Sequence, residues 1–294
     1  MLLALLLAAS SHVESAEVVI VAGSADHMEH VMGRAGVKYA LITPDQLPDT
    51  PLRWQQILMV NCTGQMSPAA RERVRRFVSA GGMLYTTDHA VHYLLEAIFP
   101  GKVRFNQKST AEAIFPMQVQ GDRGLVAKIA DHGEPRWQLA SGGMLFDVLD
   151  RNVEILMRSR QVAERYQTSG VLGVRFRYGD GQIVHVTGHF FTQPGQPREV
   201  AAAGRAFEQL SENVVREKKV DMPRVEKLYS AEAVAPAPML AEPKDAARQV
   251  TAPSGAQVTT ATATKVRVLR RERGYVEIRD DQGNQGWVPE ASVK

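Results

Sequence analysis

The chain runs to 294 residues, of which 44% are hydrophobic and 23% charged, and its net charge is +3. That length suits about two domains of ~100–200 residues each, and the composition is that of a globular chain able to bury a core without disulfides. A charge excess this small, with no block of five like charges, argues against a nucleic-acid partner.

Residues Met1–Ala9 (MLLALLLAA) form an apolar run of signal-peptide length, well short of the ~20 residues a membrane span needs. No Lys or Arg precedes the run, and Glu14 suits a cleavage site poorly, but small residues at Ser10 and Ala16 follow. We therefore expect residues 1–16 to be a signal peptide and the protein to be exported, periplasmic or extracellular. No later segment is long and apolar enough to span a membrane. The single cysteine, Cys62, excludes an internal disulfide.

Glu17–Gly23 (EVVIVAG) reads as a strand buried on both faces. Helix Met28–Ala35, strand Tyr39–Thr43 and strand Gln56–Asn61 follow. Ser67-Pro68 gives a helix its preferred N-cap and first residue, and Gly81-Gly82 stops that helix. Next come strand Met83–Thr87 and helix Val91–Ile98. Strands alternating with helices at this spacing predict a parallel sheet. Residues 101–150 are rich in Gly, Pro and Gln and are expected to lie over a sheet edge. Val153–Met157, Val171–Tyr178 and Gln182–Thr187 are further strands. The last two are joined by Gly179-Asp180-Gly181, where Asp-Gly suits a tight hairpin. An amphipathic helix, Glu199–Val215, closes the domain with Ala203, Phe207, Leu210 and Val214 on one face.

Residues 216–249 contain Ala233–Pro243 (AVAPAPMLAEP) and read as a Pro/Ala-rich linker. Beyond it, Val266–Leu269, Tyr275–Arg279 and the run Gly286-Trp287-Val288-Pro289 are short strands around the turn Asp281–Gly283. Residues 265–293 (KVRVLRRERGYVEIRDDQGNQGWVPEASV) resemble bacterial SH3-like domains, including Tyr275 after a Gly and the closing Gly-Trp-Val. The resemblance implies a barrel over 250–294 that binds a protein or a cell-wall peptide, with Tyr275 and Trp287 on its binding surface. The Asn-Val-Arg-x-Gly-Pro stretch of many members is absent, which puts cell-wall recognition in doubt. Arg248–Lys294 carries eight basic and five acidic residues, so this region is mildly basic.

The runs NCTGQMSPAARERVRRFVSAGGMLYTTDHA and YGDGQIVHVTGHF resemble the class I glutamine amidotransferase-like fold, nearest its trehalose-utilisation-type branch. This resemblance implies a flavodoxin-like, doubly wound, mostly parallel α/β sheet over residues 17–215. An active member needs a Cys on the elbow after the fourth strand, activated by a His and oriented by a carboxylate. Asp88, His89 and Ala90 stand at that elbow, and His189 is followed by Phe190 and Phe191 instead of x-Glu. Amidotransferase chemistry is therefore not expected.

Asp26-His27-Met28-Glu29-His30 and Asp88-His89-Ala90-Val91-His92 both spell Asp-His-x-x-His, each just past a strand. Three candidate histidines, His27, His89 and His189, match positions familiar in the trehalose-utilisation-type branch. With Cys62 and Asp88 they could form a ligand site at the carboxyl edge of the sheet, where open α/β sheets bind ligands. His27, His89 and His189 could hold zinc, or Asp88, His89 and His189 could act in general acid–base catalysis. In the alternative reading, Asp26 and Asp88 cap helices and the histidines pack or face solvent. Two functions stay open: an exported, non-catalytic binding or scaffold protein of the bacterial envelope, and an envelope hydrolase or sugar-modifying enzyme with a His/Asp site.

Overall fold

The computed structural model describes residues 12–121, 123–131, 133–188, 198–244 and 246–294. Four strands, β1 (Val18–Val21), β2 (Tyr39–Ile42), β3 (Ile57–Val60) and β4 (Met83–Thr87), pair in parallel in the order 2-1-3-4. Every residue of β1, β3 and β4 is buried, as a sheet covered on both faces demands. Alternate residues serve opposite layers. Val18, Ile20, Met59 and Tyr85 pack with Met28 and Met32 on helix α1 (Met28–Arg34). Val19, Val21, Leu58 and Leu84 pack with Val74, Phe77 and Val78 on helix α2 (Pro68–Ser79).

Helix α2 begins where its caps place it. The Ser67 hydroxyl accepts from the Ala70 N–H at 3.2 Å. At the other end Gly82 N–H reaches Phe77 O and Gly81 N–H reaches Val78 O, the paired bonds of a Schellman cap. Gly81 has φ +117°, a conformation open to glycine. After β4 the chain takes a π-helical turn, Val91–Leu95, continued by Glu96–Ile98.

The irregular middle forms antiparallel ribbons. Strand β5 (Val103–Ser109), β6 (Ala113–Pro116), β7 (Gln118–Val119), β8 (Arg136–Leu139) and β9 (Met144–Val148) pair as β5–β9 and β6–β8, while β7 joins the main sheet. Strand β10 (Glu154–Arg158), helix α3 (Arg160–Tyr166), β11 (Val171–Tyr178) and β12 (Gly181–Val186) follow. The completed sheet has eight strands ordered 2-1-3-4-12-11-10-7, with β12 parallel to β4. The architecture is mixed α/β around one large, parallel-dominated sheet, and the 2-1-3-4 order is that of flavodoxin-like folds. In the β11–β12 hairpin Tyr178 pairs with Gly181. The loop is thus Gly179-Asp180, with the positive φ (+56°) at Gly179 and not at the expected Asp-Gly step.

The expected spacer over 216–249 takes another form. Helix α4 runs from Arg198 to Glu226, so the helix expected to end at Val215 continues for three more turns. The continuation packs through Val225 against Trp54, Ala80 and Tyr229. Pro223 falls in its last turn, where it lacks the N–H that would donate to the carbonyl four residues back. Beyond it, β13 (Ala231–Glu232) and β14 (Ala237–Pro238) pair with β16 (Lys265–Glu272) and β15 (Thr259–Thr260). Strands β17 (Tyr275–Arg279) and β18 (Gln285–Pro289) complete a four-stranded sheet ordered 13-16-17-18. Met239, Val258, Val266, Val276, Ile278 and Val288 form the core of this carboxyl-terminal β module. The Pro/Ala-rich stretch thus supplies strands to the module, which begins near Ala231 instead of Val250.

The module is docked on the sheet's amino-terminal edge. Arg73 on α2 donates to Gln282 O at 2.6 Å, and Arg76 donates to Thr251 O and to Asn284 Oδ1. In return Arg279 donates to Ser79 O and pairs with Asp180, which Arg267 also meets. A Cβ on Gly283 would lie 2.2 Å from Arg76 O, so only glycine allows this approach.

Of the expected signal peptide, residues 1–11 lie outside the described residues. Val13 and Ala16 are buried against the sheet, and Gln56 Nε2 donates to both their carbonyls. No helix among the described residues is long and apolar enough to cross a membrane.

Candidate functional site

The carboxyl ends of β1, β3, β4 and β12 bring their following residues to one edge. There the candidates divide into a sealed group and an open one.

The sealed group centres on two carboxylates. Asp26, after β1, is 1% exposed; its Oδ2 accepts from the Cys62 N–H at 3.1 Å and also from the Thr87 hydroxyl. It thereby ties together the ends of β1, β3 and β4. Asp88, at the elbow after β4, is fully buried with φ +41°. Its Oδ1 accepts from the Met144 N–H at 2.8 Å and its Oδ2 from the Gly188 N–H at 3.1 Å. A Cβ on Gly143 would fall 2.9 Å from Asp88 Oδ2, so the loop before β9 lies directly on this carboxylate. Neither aspartate caps a helix. The N-cap of α1 is His27, with no side-chain capping bond, because Asp26 faces the sheet interior. The capping alternative is therefore corrected for both.

Cys62 is 1% exposed. Burial, aided by the nearby carboxylates of Asp88 and Asp26 and opposed by the His89 N–H, pushes its thiol up to about 12. A thiol so protonated is a poor nucleophile. His89 places Nε2 3.0 Å from Gly142 O and 3.7 Å from Asp88 Oδ1. His92 meets Glu96 at 3.1 Å. His189 lies outside the described residues.

The open group lies between β1 and β3, where the 2-1-3-4 order reverses direction. Open α/β sheets bind ligands at such a switch point. His27 Nδ1 stands 2.9 Å from Glu29 Oε1, and the His27 and His30 rings are 5.4 Å apart. The ligand atoms of His27, Glu29 and His30 all fall within 4.8 Å of one another. The other oxygen of Glu29 accepts from Asn61 Nδ2 at 3.2 Å, and Asn61 Oδ1 in turn accepts from the Met28 N–H. Partial burial would raise the Glu29 carboxyl, but bonds from His27, its own backbone and Asn61 outweigh this and hold it below its usual value. Among the described residues this is the grouping of three able to hold a metal ion. It shares His27 with the expected His27–His89–His189 set and lacks His89. Glu29 stood inside the quoted Asp-His-x-x-His run, whereas Asn61, 32 residues further on, carried no local signal.

The expected binding surface of the β module is partly covered. Trp287 is 3% exposed, bonded through its backbone to Leu240, with Arg270 over its ring at 4.7 Å. Tyr275 is half-buried. A cavity of about 680 Å³ lies away from the carboxyl edge, between residues 14–17, Ile57 at the start of β3 and Lys218 on α4.

No protein-family model matches the chain, and no curated protein matches it in sequence. Several solved structures align with parts of the chain at low identity. A ThuA-like protein from Parabacteroides merdae is 14% identical, covering 68% of this chain and 88% of its own at a TM-score of 0.46. A ThuA-like protein from Bacteroides uniformis is 10% identical over 68% of this chain and 90% of its own, with a TM-score of 0.47. The β-galactosidase from Bacillus circulans sp. alkalophilus is 12% identical over 90% of this chain at a TM-score of 0.48. This chain spans 35% of that enzyme's length. At such identities no residue role passes from these proteins to this one.

Proposed function

We propose that this is an exported, non-catalytic binding or scaffold protein of the bacterial cell envelope. In this reading the α/β domain is a degenerate, amidotransferase-like scaffold, and the carboxyl-terminal module is SH3-like and takes a protein or cell-wall peptide.

One observation carries the proposal: the elbow after β4 holds Asp88, whose two oxygens both accept backbone N–H bonds beneath a closed loop. A carboxylate engaged in this way staples strands, and the neighbouring Cys62 thiol is buried and protonated. The edge that would hold a nucleophile is thus built as structure. The test is turnover by purified full-length chain on glutamine and on aryl glycosides. Rates at the buffer blank are expected for the wild type; hydrolysis removed by both Asp88→Asn and Cys62→Ser would overturn the reading.

The second reading, an envelope hydrolase or sugar-modifying enzyme, is favoured by the His27–Glu29–Asn61 chain at the switch point. Hydrolysis that survives Asp88→Asn and is lost in His27→Ala would select it.

A further inference from the structure

We infer that His27, Glu29 and His30 form a binding site for a divalent, zinc-class cation, with Asn61 as its positioning residue. This goes beyond the scaffold reading and stands whether or not the protein has turnover.

The local backbone explains how residues at i, i+2 and i+3 share a site. His27 precedes helix α1 with φ −135° and ψ 59°, so its ring folds back over the first turn. Glu29 and His30 lie in that turn, and the His30 N–H bonds to His27 O. His27 Nδ1 and Glu29 Oε1 are already 2.9 Å apart. Ligands at ~2.0–2.2 Å around a zinc ion stand about 3.3 Å from one another. His30 brings the third ligand atom, which lies within 4.8 Å of the other two.

The chemistry of the set fits. Two imidazoles with one carboxylate suit zinc and its neighbours in the first transition row, and three protein ligands leave coordination positions for water. The carboxylate is that of Glu29, in the first turn of α1. Among the described residues its ion-pair partner is His27, not a lysine or arginine. Asn61 is 1% exposed and donates to the oxygen of Glu29 that does not face His27. Such outer partners fix a ligand's orientation. The site also lies beyond the carboxyl ends of the paired strands β1 and β3, the switch point the sheet order favours for a ligand.

The test uses the full-length chain without a polyhistidine tag, stripped by chelator and titrated calorimetrically with Zn(II) alone. One saturable site per chain is expected. His27→Ala, His30→Ala and Glu29→Gln should each weaken it at least tenfold, and Asn61→Ala by about 10–100-fold. His92→Ala, which removes the unrelated His92–Glu96 pair, should leave it unchanged. Because His30 is exposed, His30→Ala folds as the wild type does, which melting curves would check. Co(II) should give a visible absorption band that His30→Ala abolishes. Failure of Zn(II) to saturate a site, or wild-type affinity in both His27→Ala and His30→Ala, would overturn the inference.

Discussion

Arg73 in helix α2 and Gln282 in the carboxyl-terminal module are joined by a 2.6 Å hydrogen bond from guanidinium to carbonyl, 209 residues apart in sequence. The same side chain donates from Nε to Thr50 O and from Nη2 to Leu52 O. Burial draws its pKa down to about 10, with Asp280 and Asp281 opposing the shift. Arg73→Met should leave three carbonyls without this donor and cost about 2–4 kcal/mol. Differential scanning calorimetry would read the loss, and an unchanged melting temperature would show the contact to be inert.

Gly283 offers a steric test of the same junction. Its φ of +84° and the backbone of Arg76 leave no room for a Cβ. Gly283→Ala should separate the module from α2 without unfolding either core. The expected sign is faster hydrogen exchange at Gln282 and Asn284 while the amides of β1 and β3 stay protected. Undisturbed exchange at the turn would refute it.

Cys62 should resist modification. With the thiol pushed up to about 12 and the side chain buried, an aromatic disulfide reagent should label it only through opening of the fold. Labelling in buffer is expected to be slower by orders of magnitude than in denaturant. Prompt labelling of the native chain would contradict this placement.

His185 sets an acid limit. It is fully buried, close to Thr86 Oγ1 at 2.9 Å and edge-on to Phe146. Burial takes its pKa from the usual 6.5 to about 3, against a small opposing effect from Thr86. The unfolded chain therefore binds this proton more readily than the folded one. The stability linked to His185 is complete above about pH 6.5 and declines as pH falls toward 3, by up to ~1.4 kcal/mol per pH unit. Urea melts of wild type and His185→Gln across pH 3–7 should differ in slope within that window; parallel slopes would rule His185 out.

Deleting residues 1–16 removes Val13 and Ala16 from the core and two acceptors from Gln56. A loss of about 2–3 kcal/mol is expected from the buried valine and the freed amide. Equal stability of the shortened chain would show that these contacts contribute nothing.

The parallel sheet was legible in the sequence because β1, β3 and β4 are buried on both faces and so read as unbroken apolar runs. Helix α2 was legible from Ser67-Pro68 and Gly81-Gly82, whose bonds are all local. The extension of α4 was hidden because its inner face carries Lys218 and Asp221, which composition assigns to solvent. Lys218 is buried only because Trp54 O and Gly81 O accept from it, and Asp221 because Arg177 and Arg224 meet it. The prolines of 233–243 suggested a spacer, yet Pro238 is in β14, whose single partner strand is β15, where the missing N–H is tolerated. At the site, His27 announced itself by its spacing from His30. The structural role of Asp26 carried no local signal because its partners, Cys62 and Thr87, follow 36 and 61 residues later.

The docking of the β module at Ser79, Asp180 and Gly283 fixes which end of the sheet it occupies. These residues mark the amino end of the parallel strands, whereas His27, Glu29 and Asn61 mark the carboxyl end, a strand's length away. The two ends face opposite directions and do not compete for space. The module therefore covers the amino end of the sheet and leaves the carboxyl end, with His27, Glu29 and His30, uncovered by it.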